Sequence, residues 1–184
     1  GTDLMAALGQ TMLTQALAAM ADWDRAGLSV PTVSINATAE DLRDPEYPDR
    51  LAWALDAQGL APRRLTVEVL ESVVAGPSDD RIRRNLGRIA AMGCGIDLDD
   101  FGTGNASITT IRHFALQRLK IDRSFVRGVD HDREQQKLVT AILAMAEQLG
   151  LEALGEGVET QSEHAMLAQL GCAHVQGYVI ARPL

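Results

Sequence analysis

Six short strand-like runs, separated by stretches of helical period, constrain the fold of this chain more than any other feature. The runs are TVSIN (32–36), LTVEVL (65–70), GIDLDD (95–100), LQRLKID (116–122), EALGEG (152–157) and HVQGYVI (174–180). Predicted helices lie before and between them. Residues 4–24 carry Leu4, Leu8, Met12, Ala16, Met20 and Trp23 close to helical spacing. Residues 48–58 begin with Pro48 in the first turn and end near Gly59. Ser78 is the expected N-cap of a helix carrying Ile82, Leu86, Ile89 and Met92, which Gly93 closes. Residues 132–149 set Leu138, Val139, Ile142, Leu143, Ala146 and Leu149 on one side, and 161–170 form the last helix. Alternation of this kind predicts an α/β fold with a parallel sheet covered by helices. A doubly wound sheet and a (β/α)-barrel both satisfy it.

The polar residues separate the two. The strand-like runs carry Asn36, Glu68, Asp99 with Asp100, Lys120, Glu156 and Gln176 at or near their ends, spaced by 32, 31, 21, 36 and 20 residues. Each interval is long enough for a helix and a return to the next strand. In a (β/α)-barrel, side chains at the C-terminal ends of successive strands share one face, and catalysis takes place there. A doubly wound sheet concentrates its site at one switch point instead. Any one of these residues alone fits a strand-end cap or a surface group; the same positional role at all six runs favours the barrel. Asp99-Asp100 is the strongest local element, because two adjacent carboxylates concentrate negative charge unless a cation neutralises it.

Bulk properties narrow the function classes. The chain has 184 residues, 46% of them hydrophobic, which predicts a single domain over 1–184. The formal net charge of −8 disfavours a broad electrostatic grip on a nucleic acid polymer and suits hard-cation sites. Cys94 and Cys172 have no CxxC partner or zinc spacing, so buried free thiols in a reducing compartment are expected. No secretory signal is visible, and no uninterrupted run of ~18 apolar residues suggests a membrane span. A cytoplasmic domain follows as the expectation, within a full-length protein that could be membrane-anchored.

Taken together, the motifs resemble one family. DDFGTG (99–104), LKIDRSFV (119–126), EGVET (156–160), QGY (176–178) and ARP (181–183) stand in the order and spacing of EAL domains, the bacterial cyclic di-GMP phosphodiesterase modules. SINATA (34–39) is similar to the family's VNLSA segment and LTVEVLES (65–72) to its LELEITES segment. The resemblance runs from near residue 4 to the end.

The resemblance implies a TIM-like (β/α) barrel of EAL type and a hydrolase that opens cyclic di-GMP to linear pGpG. It implies two Mg2+ or Mn2+ ions acting on a bridging water, with Ca2+ binding but supporting the reaction poorly. Asn36, Glu68 and Asp99 match metal ligands; Asp99 matches the residue bridging both ions and Asp100 a ligand of the second. Lys120 matches the lysine at the nucleophilic water. Glu156 matches an acidic residue near the second metal, a ligand directly or through water, and a candidate proton acceptor. Gln176 matches a hydrogen-bonding residue of the metal and water network, and Glu71 the glutamate that steadies the DDFGTG loop. Asp122 and Glu159 match more peripheral family positions. Arg123 and Arg182 are candidates for guanine contacts. A homodimer, and an upstream regulatory or cyclase domain, are further family expectations.

The chain departs from the pattern in places. The family's signature Glu-Ala-Leu, whose glutamate binds the first metal, lies upstream of the segment that begins here, together with two strands. The triplet Glu152-Ala153-Leu154 falls instead in the strand leading to Glu156. A piece of a longer protein is the favoured expectation, and a shortened homologue is the other. Asn105-Ala106-Ser107 stands where the family usually has Tyr-Ser-Ser, Leu70 replaces a threonine, and Gly155 replaces an alanine. The retained ligands favour catalysis. The missing glutamate and altered loop favour the alternative, an inactive EAL-like receptor for cyclic di-GMP or a protein partner in signalling.

Overall fold

The computed structural model describes residues 2–76, 79–104 and 106–182, with side chains from Ala7 onward. Its strands are β1 (Val33–Ala37), β2 (Leu65–Leu70), β3 (Gly95–Phe101), β4 (Arg118–Ile121), β5 (Glu152–Gly155) and β6 (His174–Val175). Its helices are α1 (Thr2–Arg25), α2 (Ala39–Arg43), α3 (Tyr47–Ala57), α4 (Glu71–Ala75), α5 (Asp80–Met92), α6 (Ile108–Ile111), α7 (Arg123–Val126), α8 (Arg133–Leu149) and α9 (Gln161–Leu170). The strands follow chain order in one six-stranded sheet, with parallel registered pairs. The chain divides into two compact units, Gly1–Val69 with Gly76–Ile96 and His113–Ala115, and Leu70–Ala75 with Asp97–Arg112 and Leu116–Leu184.

In the first unit, β1 and β2 pair in register from Val33↔Leu65 to Ala37↔Val69. β2 buries Leu65, Thr66, Val67 and Val69, as expected of a parallel strand covered on both faces. α1 packs on β1, and α5 packs on α2 and α3. α5 buries Ile82, Leu86 and Ile89, one face at helical spacing. Buried Asn85 on the same helix donates to the carbonyls of Leu42 and Asp44 at 2.9 and 2.8 Å, fixing the end of α2. Ser78 lies outside the described residues; Asp79 caps α5 by accepting from the Arg81 N–H. On α1 the buried side chains are Leu13, Leu17 and Met20, whereas Leu8 and Met12 are exposed. From Leu4 to Met20 the expected stripe runs at a spacing of four residues, which drifts around a helix of 3.6 residues per turn. Leu4 carries no described side chain.

In the second unit, α8 packs against β4, β5 and α9. Asp132 caps α8 and Gly150, in the left-handed conformation, ends it. Leu138 is exposed, so the buried face of α8 centres on Val139 and Ala146. Cys94 in the first unit and Cys172 in the second are both buried free thiols.

Three strands are shorter than expected. β4 starts at Arg118 and stops at Ile121, because Asp122 becomes the N-cap of α7 and accepts from the Ser124 N–H. β5 stops at Gly155, two residues before Gly157 turns left-handed at φ +65°. β6 covers only His174–Val175 of the expected 174–180. Past it, Ile180 and Ala181 turn back to donate to the Gly177 carbonyl, and Val179 donates to Val158. Among the described residues, no helix is long and apolar enough to cross a membrane.

Candidate active site

The second unit gathers the densest set of sequence-predicted residues. Its centre is the end of β3. β3 and β4 pair at Leu98↔Leu119 and again at Phe101↔Ile121, so β3 holds one residue more than its partner between those points. That is a β-bulge at Asp99-Asp100. Asp100 adopts φ +54°, the left-handed region that aspartate tolerates better than most residues. Neighbouring side chains of a regular strand point to opposite faces. Here, carboxylate oxygens of Asp99, Asp100 and Glu156 lie within 4.8 Å of one another.

Lys120 answers part of that charge. It sits in β4, is 4% exposed, and its Nζ lies 3.0 Å from Asp99 Oδ1 and 2.7 Å from Glu156 Oε1. Glu156 follows β5 directly, and its N–H donates to the Ile121 carbonyl at 3.1 Å, which sets its height beside Lys120. One ammonium among three carboxylates leaves net negative charge. Burial raises the Asp100 carboxyl above its usual range, and the charges of Asp99 and Asp122 add to that, against smaller opposing effects of Lys120 and Arg123. The donor set is all carboxylate oxygen, which fits a hard divalent cation.

Glu71 opens α4 and is buried at 3% exposure. Its Oε2 accepts from the N–H groups of Gly102 and Gly104 at 2.8 and 2.9 Å, and its Oε1 from Ala106 at 2.9 Å. This anchors the loop that follows the two aspartates. Gly104 is needed there, since a Cβ would stand 2.9 Å from Glu71 Cδ. Burial tends to raise the Asp122 carboxyl, but hydrogen bonds from Ser124 and the Arg123 N–H bring it below the usual range. Gln176 follows β6; its N–H donates to Gly155 at 2.8 Å and its carbonyl accepts from Val158 at 3.1 Å. The Arg182 guanidinium stacks over the Tyr178 ring at 5.0 Å.

Asn36 and Glu68 belong to the first unit. They are direct register neighbours in β1 and β2, Asn36 exposed and Glu68 half-buried.

Residues 1–183 match the family model described as the EAL domain. The chain belongs to the EAL domain family. It is 33% identical over its whole length to the "Bifunctional diguanylate cyclase/cyclic di-GMP phosphodiesterase MucR" of Pseudomonas aeruginosa, of which it covers 27%. It is 37% identical over 152 residues, 83% of the chain, to the "Cyclic di-GMP phosphodiesterase NbdA" of the same organism, covering 19% of that protein. The chain thus spans about a quarter or less of these relatives' length. Among solved structures, the MucR phosphodiesterase in complex with c-di-GMP superposes with a TM-score of 0.91 at 34% identity, covering all of this chain and 74% of that one. The α/β architecture is therefore that of the TIM-barrel-like EAL structures.

Some features of this EAL domain escaped the sequence reading. The bulge that turns Asp99 and Asp100 to one place has no local sequence signal. Glu163, buried near the base of α9, was also missed. Its signal was available: Thr160-x-x-Glu163 is a capping box, and both of its hydrogen bonds are present.

Proposed function

We propose that this chain, EAL-domain sequence over 1–184, belongs to a metal-dependent phosphodiesterase that hydrolyses cyclic di-GMP to linear pGpG. The observation that carries this is the convergence of Asp99, Asp100 and Glu156 around buried Lys120. A phosphodiester is anionic and resists attack by hydroxide. Two bound Mg2+ or Mn2+ ions would supply Lewis acidity to the phosphate oxygens and lower the pKa of an attacking water. Asp99 and Asp100 are the proposed ligands on β3. On the family resemblance, Asn36 and Glu68 are further oxygen ligands.

The remaining steps fall to the chain's own groups. Lys120 holds a fixed positive charge beside the nucleophile and the developing charge on phosphorus oxygens. Glu156, which would also hold the second ion directly or through water, takes the proton released from the nucleophile. Glu71 keeps the loop after Asp100 in one conformation through three N–H contacts. Gln176 hydrogen-bonds to the water and substrate, and Asp122 and Arg182 contact the nucleotide. A homodimer, an upstream regulatory or cyclase domain, and a cytoplasmic setting belong to the same proposal. Ca2+ binds the same carboxylates but adapts to looser geometry, and so supports turnover poorly.

The test is chromatographic detection of pGpG from cyclic di-GMP with Mg2+, Mn2+ or Ca2+ in turn, beside Asp99→Asn. Turnover with Mg2+ or Mn2+, much weaker with Ca2+ and absent in the variant, is the expected result. Tight cyclic di-GMP binding without turnover under all three ions would instead make the chain a receptor.

A further inference from the structure

Glu163 is the third residue of α9 and is 5% exposed. Its Oε1 accepts from the Gly128 N–H at 2.9 Å. Its Oε2 accepts from the N–H groups of Glu159 and Thr160, both at 3.0 Å. A capping box accounts for the Thr160 contact alone. The other two reach beyond the helix it belongs to. Gly128 follows α7, the helix that begins next to Asp122 and three residues past Lys120. Glu159 closes the segment that starts at Glu156. One buried carboxylate therefore joins the chain downstream of Lys120 to the chain downstream of Glu156.

The joined segments have tight mutual packing. A Cβ on Gly157 would stand 2.6 Å from Arg123 Cβ, and Val158 is fully buried. The arrangement parallels Glu71, which grips three N–H groups of the loop after Asp100. Burial works to raise the Glu163 carboxyl, but hydrogen bonds from Gly128, Glu159 and Thr160 hold it below the usual range, so it is anionic at neutral pH.

We infer that Glu163 is a positioning residue for the metal-binding carboxylate Glu156, acting by tying the 156–160 segment to the turn at Gly128. The inference rests on the phosphodiesterase proposal. Gln at this position keeps the shape but offers only one acceptor oxygen, so at least one of the three N–H contacts is lost. The segment bearing Glu156 then has to be ordered by the metal itself, and apparent metal affinity falls.

The deciding measurement is Mn2+ binding by calorimetry together with the Mn2+ dependence of cyclic di-GMP hydrolysis, in the protein and in Glu163→Gln. Losing an outer-shell partner typically weakens metal binding by about 10- to 100-fold, and an increase of about tenfold in both Mn2+ constants is expected. Asp79→Ala is the control. It removes the α5 cap in the first unit, which accepts from the Arg81 N–H, and so lowers stability without touching Gly128 or the 156–160 segment. It should leave both constants unchanged. Constants within twofold of wild type for Glu163→Gln, or an equal shift in Asp79→Ala, overturn the inference. Should Glu163→Gln not fold, Glu163→Asp decides on the same readouts, because it keeps the charge and loses one methylene of reach. A wild-type protein that binds Mn2+ without turnover overturns only the catalytic proposal, since calorimetry still reports on Glu163.

Discussion

Lys120 Nζ lies 2.7 Å from Glu156 Oε1, and the two residues come from neighbouring strand ends that share the hydrogen bond from Glu156 N–H to Ile121. A buried ammonium in that position needs its carboxylate partners, and they need it. Lys120→Met retains most of the side-chain volume and removes the charge. If Lys120 stabilises charge at the reacting phosphate, kcat should fall by about 10²- to 10³-fold, the usual cost of one such group. Mn2+ affinity should hold or tighten, because a competing cation has gone. Steady-state kinetics at saturating Mn2+ check this; a kcat within twofold of wild type sinks the assigned role.

Asp100 gives a pH prediction. Its carboxyl is raised by burial first and by Asp99 and Asp122 next. A carboxyl raised in the folded state destabilises that state when ionised, and the cost is relieved as pH falls through the folded pKa. Asparagine tolerates the φ of +54° as well as aspartate does. Asp100→Asn should therefore raise the Tm at pH 7 in EDTA by about 2 °C, on a scale of roughly 2–4 °C per kcal/mol for chains of this size. The gain should shrink on acidification and reverse when Mn2+ is added, while turnover is lost. Thermal melts across pH, with and without Mn2+, decide the matter; a lower Tm for the variant in EDTA at pH 7 contradicts it.

Glu71→Ala would leave the N–H groups of Gly102, Gly104 and Ala106 without their carboxylate. A buried donor left unpaired costs about 1–3 kcal/mol, and water entering the loop recovers part of the sum, so a stability loss of about 3 kcal/mol is expected. Urea denaturation gives the magnitude. Hydrogen exchange locates it: those three amides should lose protection ahead of the β4 amides. Unchanged protection at Gly102 and Gly104 would falsify the anchoring role.

How far these features were legible follows from what sets each of them. LTVEVL was read residue for residue as β2, because a strand buried on both faces is a continuous apolar run with turn signals at its borders. The α9 bounds were legible for the same local reason, with Thr160 before the helix and Gly171 after it. HVQGYVI misled, since its apolar pattern says nothing of the backbone approach of Gly177 to Val158. Asp99-Asp100 was legible as charge but not as geometry. Alternation would have sent the two carboxylates apart, and only the pairing with β4 shows the extra residue that brings them together. Site residues stood out where they broke an apolar run, as Lys120 does. Glu163, inside a polar helix start, broke nothing.

Gly177 closes the set with a steric prediction. A Cβ there would meet the Val158 carbonyl oxygen at 2.2 Å and the Val158 nitrogen at 2.4 Å, both rigid backbone atoms. Val158 is fully buried and sits two residues past Glu156, so the strain from Gly177→Ala cannot dissipate into solvent and should displace the Glu156 segment. Gly171→Ala is the matched comparison. Gly171 has φ +94° with nothing near its absent Cβ, so the substitution strains the backbone alone, at about 1–2 kcal/mol for a left-handed residue. Both variants should lose stability in denaturant titrations. Only Gly177→Ala should lose hydrolysis, by an order of magnitude or more, since it alone moves a residue of the proposed site. Equal activity losses in the two at matched stability would show that general destabilisation, not the contact with Val158, governs turnover.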